Sequence, residues 1–380
     1  MTSPPPRQIL HVITGLDQGG AETMLIKLVI AMDRRRFHNQ VVSLLGDGAL
    51  GADLRAAGIE VLGLDLRRGS ADPRALFRLA ALMRRLRPDL VQTWLYHADL
   101  LGLLAARLAG SPPVLANLRC SDMDFSRYSR QSKWVLKWLA AFSRWPAGII
   151  VNSAAGQAVH ERLGYRPRAW HLVPNGFDLE TFRPDPQAPA RLRQEIGIPA
   201  ESLILAHIAR VDPMKDHTGF LAAARIALAA RGDLHVLLIG RGTQDLSPHL
   251  AAAGIAGRAH LLGPRRDIAR LLPGVDLLCL SSAFGEGFPN VLGEAMSAGV
   301  PCIATDVGDA RAIIGETGRI VAPSDPPALA QAILDLLALD AGSRAALGQA
   351  ARRRIAEHYS LPAIVRQYEA LYETFSRTRR

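Results

Sequence analysis

The sequence predicts an α/β protein made of two doubly wound parallel-sheet domains, and three observations carry that prediction. Short apolar strands alternate with helical stretches through both halves, the pattern of parallel strands joined by crossover helices. The chain has 380 residues, more than one typical hydrophobic core accommodates. Pro184, Pro186, Pro189 and Pro199 gather in residues 183–199, which read as a linker between domains at 1–185 and 186–360.

The elements follow in order. RQILHVIT (7–14) is a buried strand, and the loop carrying Gly15, Gly19 and Gly20 leads into an apolar helix. This opening βα unit lacks G-x-G-x-x-G spacing and the Lys-Ser/Thr of a phosphate loop. Gly19 and Gly20 nonetheless let backbone approach a ligand at a helix start, or simply form a tight βα turn. HNQVVSLL, IEVLGLDL and PDLVQTWLYH are strands separated by helices, the last ending at His97. ADLLGLLAARLAG is a helix and PPVLANLRC a strand. Residues 123–145 interleave Arg127, Arg130, Lys133, Lys137 and Arg144 with Trp134, Trp138, Phe142 and Trp145. Such a helix suits a membrane interface, or a core helix with a charged outer face. PAGIIV and RAWHLV are strands around a capped helix. The second half restarts with SLILAHIAR, the loop VDPMKD and an Ala-rich helix, followed by strands LHVLLIG, RAHLLG, DLLCLSS, VPCIAT and GRIVAP. An amphipathic helix with a basic tail fills 361–380.

Composition narrows the function classes. The chain is 49% hydrophobic and 21% charged, a folded rather than disordered profile. Cys120, Cys279 and Cys302 are too dispersed for a metal site or a disulfide framework, which fits a reducing cytosol. The amino-terminal stretch does not read as a signal peptide, and without a charge-free run of 18 or more apolar residues no spanning helix is expected. Residues 1–185 hold 24 Lys/Arg against 16 Asp/Glu, and 186–380 hold 21 against 19. That imbalance points to an anionic partner for the first half, or to no more than a solubilising Arg-rich surface. Nothing resembles a nucleic-acid module, so a lipid surface or acidic polymer is expected rather than nucleic acid.

Chemistry concentrates in SSAFGEGFPNVLGEAMSAG (281–299). Glu286 sits between Gly285 and Gly287, and Glu294 lies about two turns into the following helix. A glycine loop feeding a helix N-terminus is an anion site, and carboxylates on either flank suit hydroxyls. Arg210 and Lys215, in a loop after a strand, could both reach one diphosphate. Metal-binding D-x-D, H-E-x-x-H and G-x-S-x-G patterns are absent.

These pieces resemble glycosyltransferase family 4, retaining nucleotide-sugar transferases of the GT-B fold with two Rossmann-like domains facing across a cleft. The similar segments are PNGFDLETF (174–182), ARVDPMKDH (209–217), LLIGRG (237–242), LLGPRRDI (261–268) and FGEGFPNVLGEAMSAGVPCIATDVG (284–308), with a looser match at GLDQGGAE (15–22). Asp309 stands where many members have a second glycine. The resemblance implies that Arg210 and Lys215 bind the donor diphosphate, Glu294 the ribose and Glu286 the transferred sugar. Gly287 and the backbone of Phe288, Asn290, Val291 and Leu292 would meet sugar and phosphate oxygens, and residues 263–266, with Arg265 and Arg266, would hold the base. Gly19 and Gly20 would close on the donor from the other domain. His97, Glu286, Arg210 and Lys215 form the implied catalytic set, and the final helix would pack back on the first domain. No metal or cofactor is expected; the co-substrate is a UDP- or GDP-sugar, and the acceptor a glycan or polyprenyl-linked glycan. The implied setting is cell-surface polysaccharide or lipopolysaccharide assembly, in the cytoplasm or peripherally on the inner face of the membrane. A sugar-nucleotide epimerase or a non-catalytic carbohydrate-binding scaffold is the alternative.

Overall fold

The computed structural model describes residues 5–17, 19–67, 72–119 and 130–377. Residues 120–124 of the loop after Arg119, and 123–129 of the expected interfacial helix, lie outside them. By internal contacts the chain forms two units, residues 1–176 with 361–380, and residues 177–360.

In the first unit, mostly apolar stretches become strands, and inner ones such as Leu90–Trp94 and Val114–Leu118 are buried on both faces, as parallel sheets require. They are β1 (Arg7–Ile13), β2 (Phe37–Ser43), β3 (Glu60–Gly63), β4 (Leu90–Trp94), β5 (Val114–Leu118), β6 (Gly148–Val151) and β7 (Trp170–Leu172). All pair in parallel in the order β3-β2-β1-β4-β5-β6-β7, with β1 between β2 and β4 and Ile9 opposite both Asn39 and Leu90. Between them run α1 (Gly20–Ala31), α2 (Gly51–Ala56), α3 (Arg74–Leu86), α4 (Tyr96–Leu108), α5 (Arg130–Ala141) and α6 (Ala154–Arg162). Strand β4 is shorter than expected: it stops at Trp94, and His97 lies in the first turn of α4. Leu95 makes that turn at φ +71°, a conformation costly for a side chain with a Cβ.

The second unit repeats the plan. Its strands β8 (Leu203–Ile208), β9 (Leu234–Ile239), β10 (Ala259–Gly263), β11 (Leu277–Leu280), β12 (Cys302–Thr305) and β13 (Gly318–Val321) pair in parallel in the order β10-β9-β8-β11-β12-β13. Its helices are α7 (Ala188–Ile196), α8 (His217–Ala230), α9 (Ser247–Ala252), α10 (Ile268–Leu271), α11 (Asn290–Ser297), α12 (Ala310–Ile314), α13 (Pro326–Leu337) and α14 (Ala341–His358). The proline-rich stretch read as a linker therefore holds α7. Pro189 sits at its start, where a missing N–H costs nothing, and Gly197 ends it. Arg193, buried, fastens α7 to the unit through Ser202 O at 2.8 Å and Asp276 Oδ2 at 2.8 Å.

Helix α15 (Leu361–Phe375) belongs to the first unit. It buries Ile364, Val365, Tyr368 and Tyr372 in the cluster that holds Ile13, Trp94 and Leu115. The Arg36 guanidinium bonds Glu369 at 2.9 Å, and Asn117 Nδ2 donates to the Tyr368 hydroxyl at 3.2 Å.

Candidate active site

The carboxyl ends of β8 and β11 are neighbours in the second sheet, and their loops are stitched together. The Ala283 N–H donates to Met214 O at 2.8 Å, and Ser281 Oγ donates to Lys215 O at 2.8 Å. His207 lies behind them, its Nε2 3.0 Å from Ser281 Oγ. Burial first, then the neighbouring His217 and Lys215, hold its pKa well below the usual histidine value, so the ring is neutral. Because Ser281 spends its proton on Lys215 O, the neutral ring carries its own at Nε2.

This stitching brings Lys215 Nζ into an ion pair with Glu286 Oε1, both side chains largely buried. Ser282 Oγ donates to the same carboxylate oxygen at 2.5 Å, and Thr305 Oγ1 holds Ser282 through its carbonyl at 2.6 Å. Gly308 closes the floor: a Cβ there would stand 2.4 Å from Glu286 O, and its φ of +63° already favours glycine. The Asp309 N–H donates to Gly287 O at 2.8 Å.

Helix α11 starts directly after this loop with Pro289 at its N-cap, a residue that makes no side-chain cap bond to the positive end of the dipole. Glu294 is partly buried on α11. Phe288 is buried, 6.1 Å from Phe177 and 5.5 Å from Tyr359 between ring centroids. The Leu292 amide, expected to face a ligand oxygen, donates instead to Pro289 O at 3.2 Å. Asn290 and Val291 are partly buried at the mouth.

The other predicted residues differ in setting. Arg210 is about half exposed, with its guanidinium 3.3 Å from Asp212. Arg265 is committed to acids, 2.7 Å from Asp267 and 2.9 Å from Glu195, and Arg266 is exposed. In the first unit, Gly19 caps α1 and Gly20 begins it. His97 is exposed and lines a cavity of about 600 Å³ with Thr14, Gly15 and Asp17.

Three contributors escaped the sequence reading. Ser282 and Gly308 were visible only as loop residues, since nothing in spacing says they meet Glu286. Glu22 stands at the third helical position of α1, where an acid folds back on the N-cap, and a Cβ on Gly19 would meet its carboxylate at 2.3 Å. Burial first, then Asp17, raise its pKa. The G-x-x-E spacing was the available signal. Among the described residues, no group of three His, Cys, Asp or Glu converges as a metal site.

A family model described as Glycosyltransferase Family 4 matches residues 18–181, and one described as Glycosyl transferases group 1 matches residues 202–339. The chain belongs to glycosyltransferase family 4. This family 4 member is 28% identical over 313 residues to EpsF of Bacillus subtilis, a provisionally assigned glycosyltransferase, covering 79% of each chain. It is 29% identical over 244 residues to an Escherichia coli UDP-Gal:alpha-D-GlcNAc-diphosphoundecaprenol alpha-1,3-galactosyltransferase, 62% of each chain and so under two thirds of that enzyme. In structure it resembles Anabaena HepE, solved with UDP, at a TM-score of 0.83 and 23% identity over 97% of this chain and 100% of the other. A Rickettsia africae glycosyltransferase gives 0.84 at 20% identity, over 97% and 98%. The fold is GT-B, and the protein is a glycosyltransferase.

Proposed function

We propose that the protein moves a sugar from a UDP- or GDP-sugar to a glycan or polyprenyl-linked acceptor, retaining the anomeric configuration without a metal ion, in cell-surface polysaccharide or lipopolysaccharide assembly. The observation that carries this is the Lys215–Glu286 pair beside the mouth of α11. A fixed ammonium next to helix N–H groups suits a diphosphate, and a carboxylate held by that ammonium suits sugar hydroxyls. Arg210, half exposed, swings onto the diphosphate when it arrives. Glu294 accepts from the ribose, and the amides of Phe288, Asn290 and Val291 reach sugar and phosphate oxygens. In the reaction the bond from the anomeric carbon to the diphosphate oxygen breaks. The acceptor oxygen bonds to that carbon on the same face, and its proton passes to the leaving phosphate. Lys215, Arg210 and the helix mouth meet the charge that grows on the diphosphate; one well-placed donor of this kind is commonly worth about 3–4 kcal/mol. The galactosyltransferase acting on a diphosphoundecaprenol acceptor supports the lipid-linked reading by name.

The membrane part rests on α5 and the turn after it. Trp134, Trp138 and Trp145 are exposed beside exposed Lys133, Lys137 and Arg144. That pairing supports a peripheral position on the anionic inner face of the membrane. Among the described residues no helix is long and apolar enough to cross a membrane.

Thermal-shift titration with UDP-, GDP- and ADP-sugars tests the donor site. A ligand at a hundred times its Kd stabilises by about 2.7 kcal/mol. Glu294→Ala removes most of that shift for whichever nucleotide binds. Folded protein that responds to none of them refutes the donor assignment.

A further inference from the structure

The two halves of the Lys215–Glu286 pair are held from behind by neighbouring serines. Ser281 and Ser282 directly follow β11, and both are buried. They serve different partners. The Ser281 hydroxyl donates to the Lys215 carbonyl at 2.8 Å, and the Ser282 hydroxyl donates to the Glu286 carboxylate. Each serine has a further residue behind it. Thr305 of β12 donates to the Ser282 carbonyl, and His207 of β8 brings Nε2 to 3.0 Å from Ser281 Oγ. His207 is 0% exposed, and its other nitrogen, Nδ1, meets no hydrogen-bond partner among the described residues. A polar ring at that depth is costly to bury, and the bond to Ser281 is what offsets the cost.

That bond decides where the Ser281 hydroxyl points. Its oxygen has two carbonyls in reach, Lys215 O at 2.8 Å and Asp216 O at 3.3 Å, and a single proton to give. A neutral His207 donating through Nε2 occupies a lone pair of the oxygen, which turns the proton away from the ring and onto those carbonyls. The turn so gripped is strained. Asp216 has φ +46°, a conformation costly for a residue with a Cβ, and such a turn persists only while surrounding bonds fix it. Two backbone bonds help: the Lys215 N–H donates to Asp212 O at 2.9 Å, and the Ala283 N–H to Met214 O at 2.8 Å. The Ser281 bond falls on the carbonyl of the residue whose ammonium meets Glu286.

We propose that His207 is a positioning residue for Lys215: its Nε2–H sets the Ser281 hydroxyl on the Lys215 carbonyl, and that bond fixes the place from which the ammonium meets Glu286 and the donor diphosphate. The diphosphate half of this rests on the donor reading above; the lysine half rests on the geometry of the empty site.

Acetic anhydride labelling of the full chain, read lysine by lysine by peptide mass spectrometry, tests the lysine half without any nucleotide. Lys215, paired and largely buried, should label slowly, and exposed Lys133 and Lys137 fast. His207→Phe keeps a ring against Phe220, 4.4 Å away, and removes the N–H. It should speed labelling of Lys215 about fivefold, the factor that one ordinary hydrogen bond supplies, and leave Lys133 and Lys137 unchanged. His207→Gln carries an N–H of similar reach and should stay within about twofold of wild type. His207→Leu serves if His207→Phe does not fold. Calorimetric titration with UDP and GDP should follow the same order, with binding about fivefold weaker in His207→Phe and rescued in His207→Gln. Adding His207→Phe to Ser281→Ala should cost little beyond Ser281→Ala alone. Lys215 labelling that is the same in every variant overturns the proposal. So does fast labelling in His207→Gln as well as in His207→Phe, which would mark a packing role, and so do effects of His207→Phe and Ser281→Ala that add in full. Nucleotide binding that stays level while labelling changes overturns the diphosphate half. The expected labelling with no binding of either nucleotide to wild type supports the lysine half and refutes the donor reading by itself.

Discussion

Glu286 accepts from two donors on a single oxygen, Lys215 and Ser282, and is almost fully buried. Glu286→Gln keeps the shape but leaves the Lys215 ammonium without its counter-charge. Breaking one side of a buried pair typically costs about 3 kcal/mol or more, so urea melts should show a loss of that order. Transfer activity is expected to fall at least a hundredfold, while thermal shift still reports nucleotide binding. Asp99 presents a different electrostatic case. It is buried on α4, and burial, offset by the Thr93 hydroxyl at 2.6 Å and the Asn117 backbone, pushes its pKa up to about 7. Unfolded, it ionises near its ordinary value of about 4. Between these values the folded chain keeps a proton that the unfolded chain has released, so this contribution to stability falls as pH rises from about 4 to about 7. Asp99→Asn should flatten that slope, giving a smaller difference between melts at pH 5 and pH 8 than in wild type. Neither Ser282 nor Asp99 was legible as special in the sequence, because each depends on what a distant segment brings beside it.

At the scale of elements, α11 is held by the absence of a side chain. A Cβ on Gly293 would lie 2.1 Å from the Phe177 ring, which Phe288 stacks against in turn. Gly293→Ala is therefore expected to push the ring aside and destabilise by about 1–3 kcal/mol, the usual cost of overpacking. Because Phe288 leads into the mouth of α11, nucleotide affinity should fall with stability; unchanged affinity by titration calorimetry would separate the packing from the site. The strands were legible because buried parallel strands are written as short, largely apolar runs, from Arg7–Ile13 to Cys302–Thr305. Loop FGEGFPN followed by VLGEAM was legible for the same local reason, a glycine turn before a helical apolar stripe. Two readings failed at boundaries. Prolines at 184–199 suggested a linker, yet Arg193 gives α7 buried polar anchors that composition does not show. His97 was placed on a strand because Leu95 and Tyr96 look extended, whereas the positive φ at Leu95 turns the chain into α4 early. Arg265 looked available to a base, but Asp267 two residues on and distant Glu195 engage it.

At the scale of the molecule, the first unit needs α15. Tyr372 is fully buried and its hydroxyl bonds Gln92 of β4, while Tyr368 stacks 6.3 Å from Trp94. Removing residues 361–380 takes four large side chains out of that core, each worth roughly 1.5–3 kcal/mol when fully buried. Hydrogen exchange on the truncated chain should show β1, β4 and β5 unprotected and β8, β9 and β11 still protected. Uniform protection in both sheets would contradict the role assigned to α15. The same arrangement orders events on the ribosome. The first sheet is translated early, but its closing helix follows only after residues 177–360 have been made, roughly 10–40 s later at ordinary synthesis speeds. Through that interval Ile13, Trp94 and Leu115 await their last partners, while the later unit has every residue it needs. The part translated second is thus free to mature first, and the nascent first half is the stretch on which holding chaperones would act.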